Sequence, residues 1–137
     1  MTLNNDVSAA AGMQEQDMVG YLIHATKEVF NTMVMMSLDD CYPLSEPITH
    51  FHCSVTSMVG LAGTYTGILS IHCPQALALR VTSSMLGMDV TEMGEDVNDA
   101  LGELANMLGG YVKQSLSKGG MDINLSIQQL LVLTEEW

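Results

Sequence analysis

Basic residues are scarce in this sequence. Lys and Arg together number 4 of its 137 residues, against 16 Asp and Glu, which gives a formal net charge of −12 at pH 7. Proteins that bind nucleic acids or anionic membranes gather Lys and Arg on one surface. The composition therefore argues against both kinds of partner. A negative net charge names no other partner by itself.

Cysteine is also rare, and no two cysteines have the spacing of a metal or redox motif. The cysteines are Cys41, Cys53 and Cys73, an odd number without a C-x-x-C pair. This pattern is typical of free thiols in a reducing compartment. The sequence begins without a basic and apolar leader, and it contains no apolar run of bilayer length. We therefore expect a cytoplasmic protein.

Hydrophobic periodicity predicts a single domain over residues 14–137, preceded by a small and polar tail over residues 1–13 that we expect to be flexible. Apolar residues recur at spacings of three and four in the segments for which we predict helices, at about residues 14–36, 74–86 and 95–117. Gly87 is expected to cap the second of these helices.

Alternating apolar and polar residues predict strands between the helices. The first begins near Phe51, and Gly60 and Gly63 are expected to form the turn that leads to a second strand over about residues 65–73. A third strand is predicted over residues 121–127 and could extend to 133. This order of elements predicts the α+β class, with helices packed on a mostly antiparallel sheet.

The longest predicted helix, residues 95–117, carries two stripes when its residues are placed at about 100° intervals. The apolar stripe consists of Val97, Leu101, Leu104, Leu108, Val112 and Ser115. The opposite side, which we call the polar stripe, consists of Asp99, Glu103, Asn106, Gly110 and Lys113. A carboxylate and an amide one turn apart are therefore predicted to project together into solvent.

The ordinary explanation of such a stripe is a solvated helix face, but two features favour a docking surface. Asn is a mediocre helix former. Glycine inside a helix costs about 1 kcal/mol relative to alanine, and Gly102, Gly109 and Gly110 all lie in this segment. A residue without a side chain beside an acid and an amide is what a closely docking partner requires.

The segment DALGELANMLGGYVKQSL, residues 99–116, resembles the signature of the CheX/CheC chemotaxis phosphatases. That motif is an acid or serine, three residues, Glu, two residues and Asn, which here matches Asp99, Glu103 and Asn106. The segments ATKEVFNTM, residues 25–33, and DINLSI, residues 122–127, resemble the first helix and a following strand of the family. The resemblance, to a single-motif CheX-like member, implies a CheC-like fold.

The resemblance also implies a mechanism, in which the motif helix enters the active site of a phosphorylated CheY-like receiver domain. Glu103 and Asn106 would be the catalytic pair: Glu103 would pair with the receiver's lysine, and Asn106 would align water on the aspartyl phosphate. Asp99, Gly110 and Lys113 would contact the partner. The family implies no cofactor in this chain, Mg²⁺ on the receiver, and a possible homodimer. A non-enzymatic receiver-binding or motor-associated adapter of the same fold is the alternative function.

Other candidate sites have weaker patterns. Glu28 and Asn31 repeat the E-x-x-N spacing in the first helix, but His24 stands where the motif has an acid or serine, so a solvated face is the preferred interpretation. His50 and His52 could share a strand face and bind metal. They lack a third ligand at fixed spacing, and we expect no metal site. A small-ligand sensor would need an apolar pocket that no pattern indicates.

Overall fold

The computed structural model describes residues 15–38, 55–63, 67–117 and 123–132. They form three helices and a sheet of three strands, and the predicted arrangement of helices on an antiparallel sheet is confirmed. The predicted tail, residues 1–13, lies outside the described residues, and the domain bounds stay a prediction. No helix in the described part of the chain is long and apolar enough to cross a membrane.

The sheet consists of β1 (Val55–Gly63), β2 (Gly67–Cys73) and β3 (Ile123–Val132) in the order β2-β1-β3. Both pairs of neighbours are antiparallel, and Val55 pairs with Cys73 on one side and Val132 on the other. The predicted hairpin and the predicted last strand are therefore confirmed. The central strand is buried on both faces, because the consecutive residues Val55, Thr56 and Ser57 are all buried.

The prediction of a turn at Gly60 and Gly63 is wrong, because β1 runs through both glycines. Gly60 pairs with Ile68 of β2, while the register of β1 on β3 shifts between Val59 and Leu61. Glycine within a strand commonly marks such an irregularity, where the backbone departs from regular pairing. The start of the predicted first strand, residues 51–54, lies outside the described residues.

The first two helices end in left-handed residues of different kinds. Helix α1 (Glu15–Val29) continues as a π-helical segment (Phe30–Val34) and ends at Met35, whose φ is 59°. Helix α2 (Gln75–Leu86) ends at Gly87, whose φ is 68° and whose N–H donates to the Ser83 carbonyl at 2.9 Å. The predicted glycine cap is confirmed, since glycine adopts this conformation without a steric penalty.

Helix α3 (Glu95–Ser117) has the bounds that the sequence predicts. It packs against β1 and β3 on one side and against α1 and α2 on others. Its fully buried Leu101, Leu104 and Val97 lie in the main apolar core with residues of the other helices and of the sheet. The motif helix is therefore the element around which the rest of the fold is arranged.

Candidate functional site

The polar stripe lies within the part of α3 that the rest of the fold leaves accessible, which also includes the exposed Tyr111 and Gln114. Elsewhere on the helix, burial extends well beyond the predicted apolar stripe: the buried residues are Val97, Ala100, Leu101, Gly102, Leu104, Ala105, Leu108, Gly109 and Val112. Asp99 and Glu103 are exposed, and Asn106, Gly110 and Lys113 are half-buried. A partner that reaches the motif helix must therefore approach it from this accessible side, on which the polar stripe lies.

Asn106 is less exposed than the helical periodicity predicts. It is half-buried, whereas Glu103, one turn earlier, is exposed. The residues four before and three after it, Gly102 and Gly109, are both buried. Asn106 thus lies at the margin of the polar stripe, beside the packed side of the helix. A side chain in this position has fewer accessible orientations than one in open solvent.

Gly110 leaves free space on the polar stripe next to Asn106, because it has no side chain. A Cβ atom built on Gly110 would have no heavy atom within 4 Å, apart from its chain neighbours and the backbone of the helix itself. The glycine is therefore not required by the packing of a neighbouring element. Its effect is to leave space on the outer surface of α3, one turn after the amide of Asn106.

The amino-terminal half of α3 is strongly acidic. Glu95 and Asp96 lie in its first turn, where negative charge favours the helix dipole. Asp99 and Glu103 continue the run of exposed carboxylates toward Asn106. The site therefore presents carboxylates beside a neutral amide, and a partner group that meets Glu103 favourably is a cation or a hydrogen-bond donor.

Ser57 is a residue at the site that the sequence patterns did not single out. Its hydroxyl lies in the core and donates a hydrogen bond of 3.0 Å to the Leu101 carbonyl of α3. The only signal in the sequence is a small polar residue inside an apolar strand, which equally fits an outward-facing position. The bond links the centre of the sheet to the helix that carries the motif.

The second E-x-x-N pair spans the end of α1 and the π-helical segment that follows it, so its backbone differs from that of α3. Glu28 belongs to the α-helical part, and Asn31 belongs to the π-helical segment, so the two side chains do not have the geometry of Glu103 and Asn106. Both line an open cavity of about 270 Å³ together with His24, Lys27, Ser37 and Leu38. A second catalytic pair on α1 stays a hypothesis.

No group of three or more His, Cys, Asp or Glu side chains in the described residues is arranged to hold a metal ion. His50 and His52, and the nearby Asp39, Asp40 and Cys41, lie outside the residues that the structure describes. The absence of a metal site in the whole chain therefore stays a prediction.

Comparisons with known proteins agree with the resemblance found in the sequence. The family described as "Chemotaxis phosphatase CheX" matches residues 55–136, which include β1, β2, α2, α3 and β3. The chain belongs to the CheX family. Comparison with curated protein sequences gives no match.

Solved structures of CheX-like proteins have the same fold. The chemotaxis protein CheX from Vibrio vulnificus is 25% identical with a TM-score of 0.78, and the alignment covers 88% of this chain and 80% of that one. A CheC-like superfamily protein from Shewanella sp. PV-4 is 26% identical with a TM-score of 0.79, covering 90% of this chain and 80% of that one. The expected CheC-like fold is therefore confirmed.

A third similar structure is the CheX-CheY-BeF3-Mg²⁺ complex from Borrelia burgdorferi. The identity is 20%, the TM-score is 0.68, and the alignment covers 87% of this chain and 78% of that chain. At this identity the likeness concerns the fold. It shows that a chain of this architecture occurs in a complex with CheY.

Proposed function

We propose that this CheX-family protein hydrolyses the aspartyl phosphate of a CheY-like receiver domain, with Glu103 and Asn106 as the acting pair. The observation that carries the proposal is the accessibility of α3. The helix is buried over most of its circumference, and its accessible strip presents the carboxylate of Glu103 and the amide of Asn106 one turn apart. The family match and the CheX-CheY complex of Borrelia burgdorferi support a receiver as the partner.

The chemistry requires little from this chain beyond positioning. An aspartyl phosphate is an acyl phosphate, and water attacking phosphorus releases inorganic phosphate and restores the receiver's carboxylate. Asn106 would accept a hydrogen bond from this water through Oδ1 or donate one through Nδ2, without a change of protonation state. Holding the water in line with the leaving carboxylate lowers the entropic part of the barrier.

Glu103 would bind the receiver and hold it on the motif helix. Its exposed carboxylate can pair with a lysine of the receiver, and a charge-assisted hydrogen bond is stronger than a neutral one. Mg²⁺ would be bound by the receiver and would neutralise charge on the phosphoryl oxygens. Asp99, Gly110 and Lys113 complete the surface that the receiver contacts in this proposal.

The proposal is tested by the substitution Asn106→Ala. Phosphorylated receivers encoded near this gene are incubated with the purified protein, and release of phosphate is followed in single turnovers. Asn106→Ala should lower the rate by about tenfold or more, which corresponds to at least about 1.4 kcal/mol of barrier. The melting temperature should stay close to that of the wild type, because Asn106 lies at the surface margin.

Asn98→Ala is the matched control. It makes the same change in the same helix but off the polar stripe, and Oδ1 of Asn98 is buried without a hydrogen-bond partner in the described structure. Its rate should equal that of the wild type. A wild-type rate in Asn106→Ala would remove Asn106 from the mechanism. A wild-type protein that binds the phosphorylated receiver without raising the receiver's own rate of phosphate release would instead support the adapter. Asn31→Ala tests whether Glu28 and Asn31 form a second catalytic pair, and we expect it to leave the rate unchanged.

A further inference from the structure

The buried hydroxyl of Ser57 connects the centre of the sheet to the motif helix. Ser57 pairs with Ile71 of β2 and with Leu130 of β3, so its backbone is held on both sides. Its Oγ donates to the Leu101 carbonyl at 3.0 Å, and both residues are fully buried. Leu101 precedes Glu103 by two residues and Asn106 by five in the same helix.

This bond differs from the hydroxyl bonds that form within the helices of the described structure. Thr82 of α2 donates to the Ala78 carbonyl at 2.8 Å, and Thr26 of α1 donates to the Leu22 carbonyl at 2.6 Å. Both of these bonds lie within one helix and return to the residue four positions earlier, so they satisfy the hydroxyl without linking elements. The bond of Ser57 joins residues 44 positions apart.

A hydrogen bond restricts the position of a helix in a way that apolar contacts do not. Contacts between Leu side chains and a sheet change little when the helix slides or rotates slightly, because dispersion is weakly directional. A hydrogen bond weakens steeply when its angle or distance departs from the preferred range. The bond of Ser57 therefore fixes the axial and rotational position of α3 close to the catalytic pair.

We infer that Ser57 is a positioning residue for dephosphorylation, an inference that rests on the proposed function. Through the Leu101 carbonyl it holds α3 at the height on β1 from which Asn106 can reach the water on the receiver's phosphoryl group. Ser57 does not touch the partner, because its side chain is fully buried. Its removal should affect the aligned reaction more than the docking of the receiver.

The test compares Ser57→Ala with Thr82→Val in the full-length protein. Each variant removes one buried hydroxyl that donates to a helix carbonyl, but only the first cuts the link between sheet and helix. Each carbonyl keeps its regular bond from the N–H four residues later, so neither should melt more than about 5 °C below the wild type. Initial rates are measured over a range of concentrations of the phosphorylated receiver to separate kcat from KM.

Ser57→Ala should lower kcat by about five- to twentyfold. This loss is smaller than the roughly hundredfold loss of rate that a misplacement of about 1 Å can cause. KM should change less than about twofold, since the docking surface keeps all its side chains. Thr82→Val should leave both constants unchanged. Ser57→Cys, which keeps a side chain of similar size with a weaker donor, should lie between the wild type and alanine.

Amide hydrogen exchange provides a readout that does not depend on activity. Peptides covering residues 101–106 should exchange faster in Ser57→Ala than in the wild type or in Thr82→Val. An active wild type with an unchanged kcat in Ser57→Ala would overturn the positioning role and leave the proposed function intact. A loss of kcat in Thr82→Val equal to that in Ser57→Ala would also overturn the positioning role of Ser57. A wild type that hydrolyses none of the receivers would overturn the proposed function itself.

Discussion

The gap that Gly110 leaves on α3 can be filled without disturbing the fold. Gly110 lies in the interior of a helix of 23 residues, and a Cβ atom there would have no heavy atom of another element within 4 Å. Gly110→Ala should therefore raise the free energy of unfolding by about 0.8–1.0 kcal/mol, the difference in helix propensity between the two residues. This gain corresponds to about 3–5 °C in the melting temperature of a domain of this size.

Gly110→Leu separates stability from docking. Leucine is also a good helix former, and its side chain at this position extends into the space beside Asn106. The variant should be at least as stable as the wild type but should block close approach of the receiver. We expect kcat/KM to fall by about tenfold or more, equivalent to about 1.4 kcal/mol or more. A slower reaction in a protein that melts at a higher temperature cannot be attributed to unfolding.

Gly20 of α1 offers a matched control. It is an exposed glycine of another helix, and a Cβ atom there, as at Gly110, would have no heavy atom within 4 Å. Gly20→Ala and Gly20→Leu should repeat the gain in melting temperature and leave dephosphorylation unchanged. The melting temperature and the rate of single-turnover phosphate release are measured for the alanine and leucine variants at both glycines.

Two results would refute this reasoning about Gly110. A Gly110→Leu protein that folds and reacts at the wild-type rate would show that the receiver does not approach this part of α3. A strongly destabilised Gly110→Ala protein would show that the glycine serves internal packing, contrary to the open space around it.

The remaining predictions concern Glu103 and His72. Glu103→Ala should weaken binding of the phosphorylated receiver by about 1–3 kcal/mol in calorimetry and reduce the salt dependence of binding. Glu92→Ala, which removes another exposed charge outside α3, should change neither. Equal losses in the two variants would remove Glu103 as the docking acid. Partial desolvation lowers the pKa of His72 below its usual 6.5, and because the residue is exposed its effect on stability should be small. The folded chain then binds this proton less readily than the unfolded chain, so the free energy of unfolding should fall as the pH drops below about 6.5. His72→Gln should flatten this part of the profile in urea melts, and an unchanged slope would contradict the assignment.

The helical parts of the fold could be predicted from local sequence because their signals are local. The bounds of α3 follow from acidic residues at its start and from apolar residues at spacings of three and four. The left-handed cap at Gly87 follows from the conformational freedom of glycine. Both features depend on neighbours within a few positions, which the sequence shows directly.

The strands were harder to predict because their limits depend on distant partners. Gly60 and Gly63 have the local pattern of a turn, but Gly60 pairs with β2 and Gly63 pairs with β3, and this pairing keeps both glycines in β1. The π-helical segment at Phe30–Val34 contains no glycine or proline from which a departure from the α-helix could be predicted. Ser57 likewise becomes significant only when β1 is placed under Leu101. For the limits of β1 and for Ser57, contacts over long sequence separations override the local preference.

The glycines of α3 show why the candidate site depends on the whole fold. Gly102, Gly109 and Gly110 together lower the intrinsic stability of the helix by about 3 kcal/mol relative to alanine. Burial of side chains such as Val97, Leu101 and Leu104 outweighs this deficit, since each contributes about 1.5–3 kcal/mol. The helix is therefore held by the sheet and the other helices more than by its own propensity. The same packing that stabilises α3 fixes its orientation, so Glu103 and Asn106 acquire their common direction only when the domain has assembled.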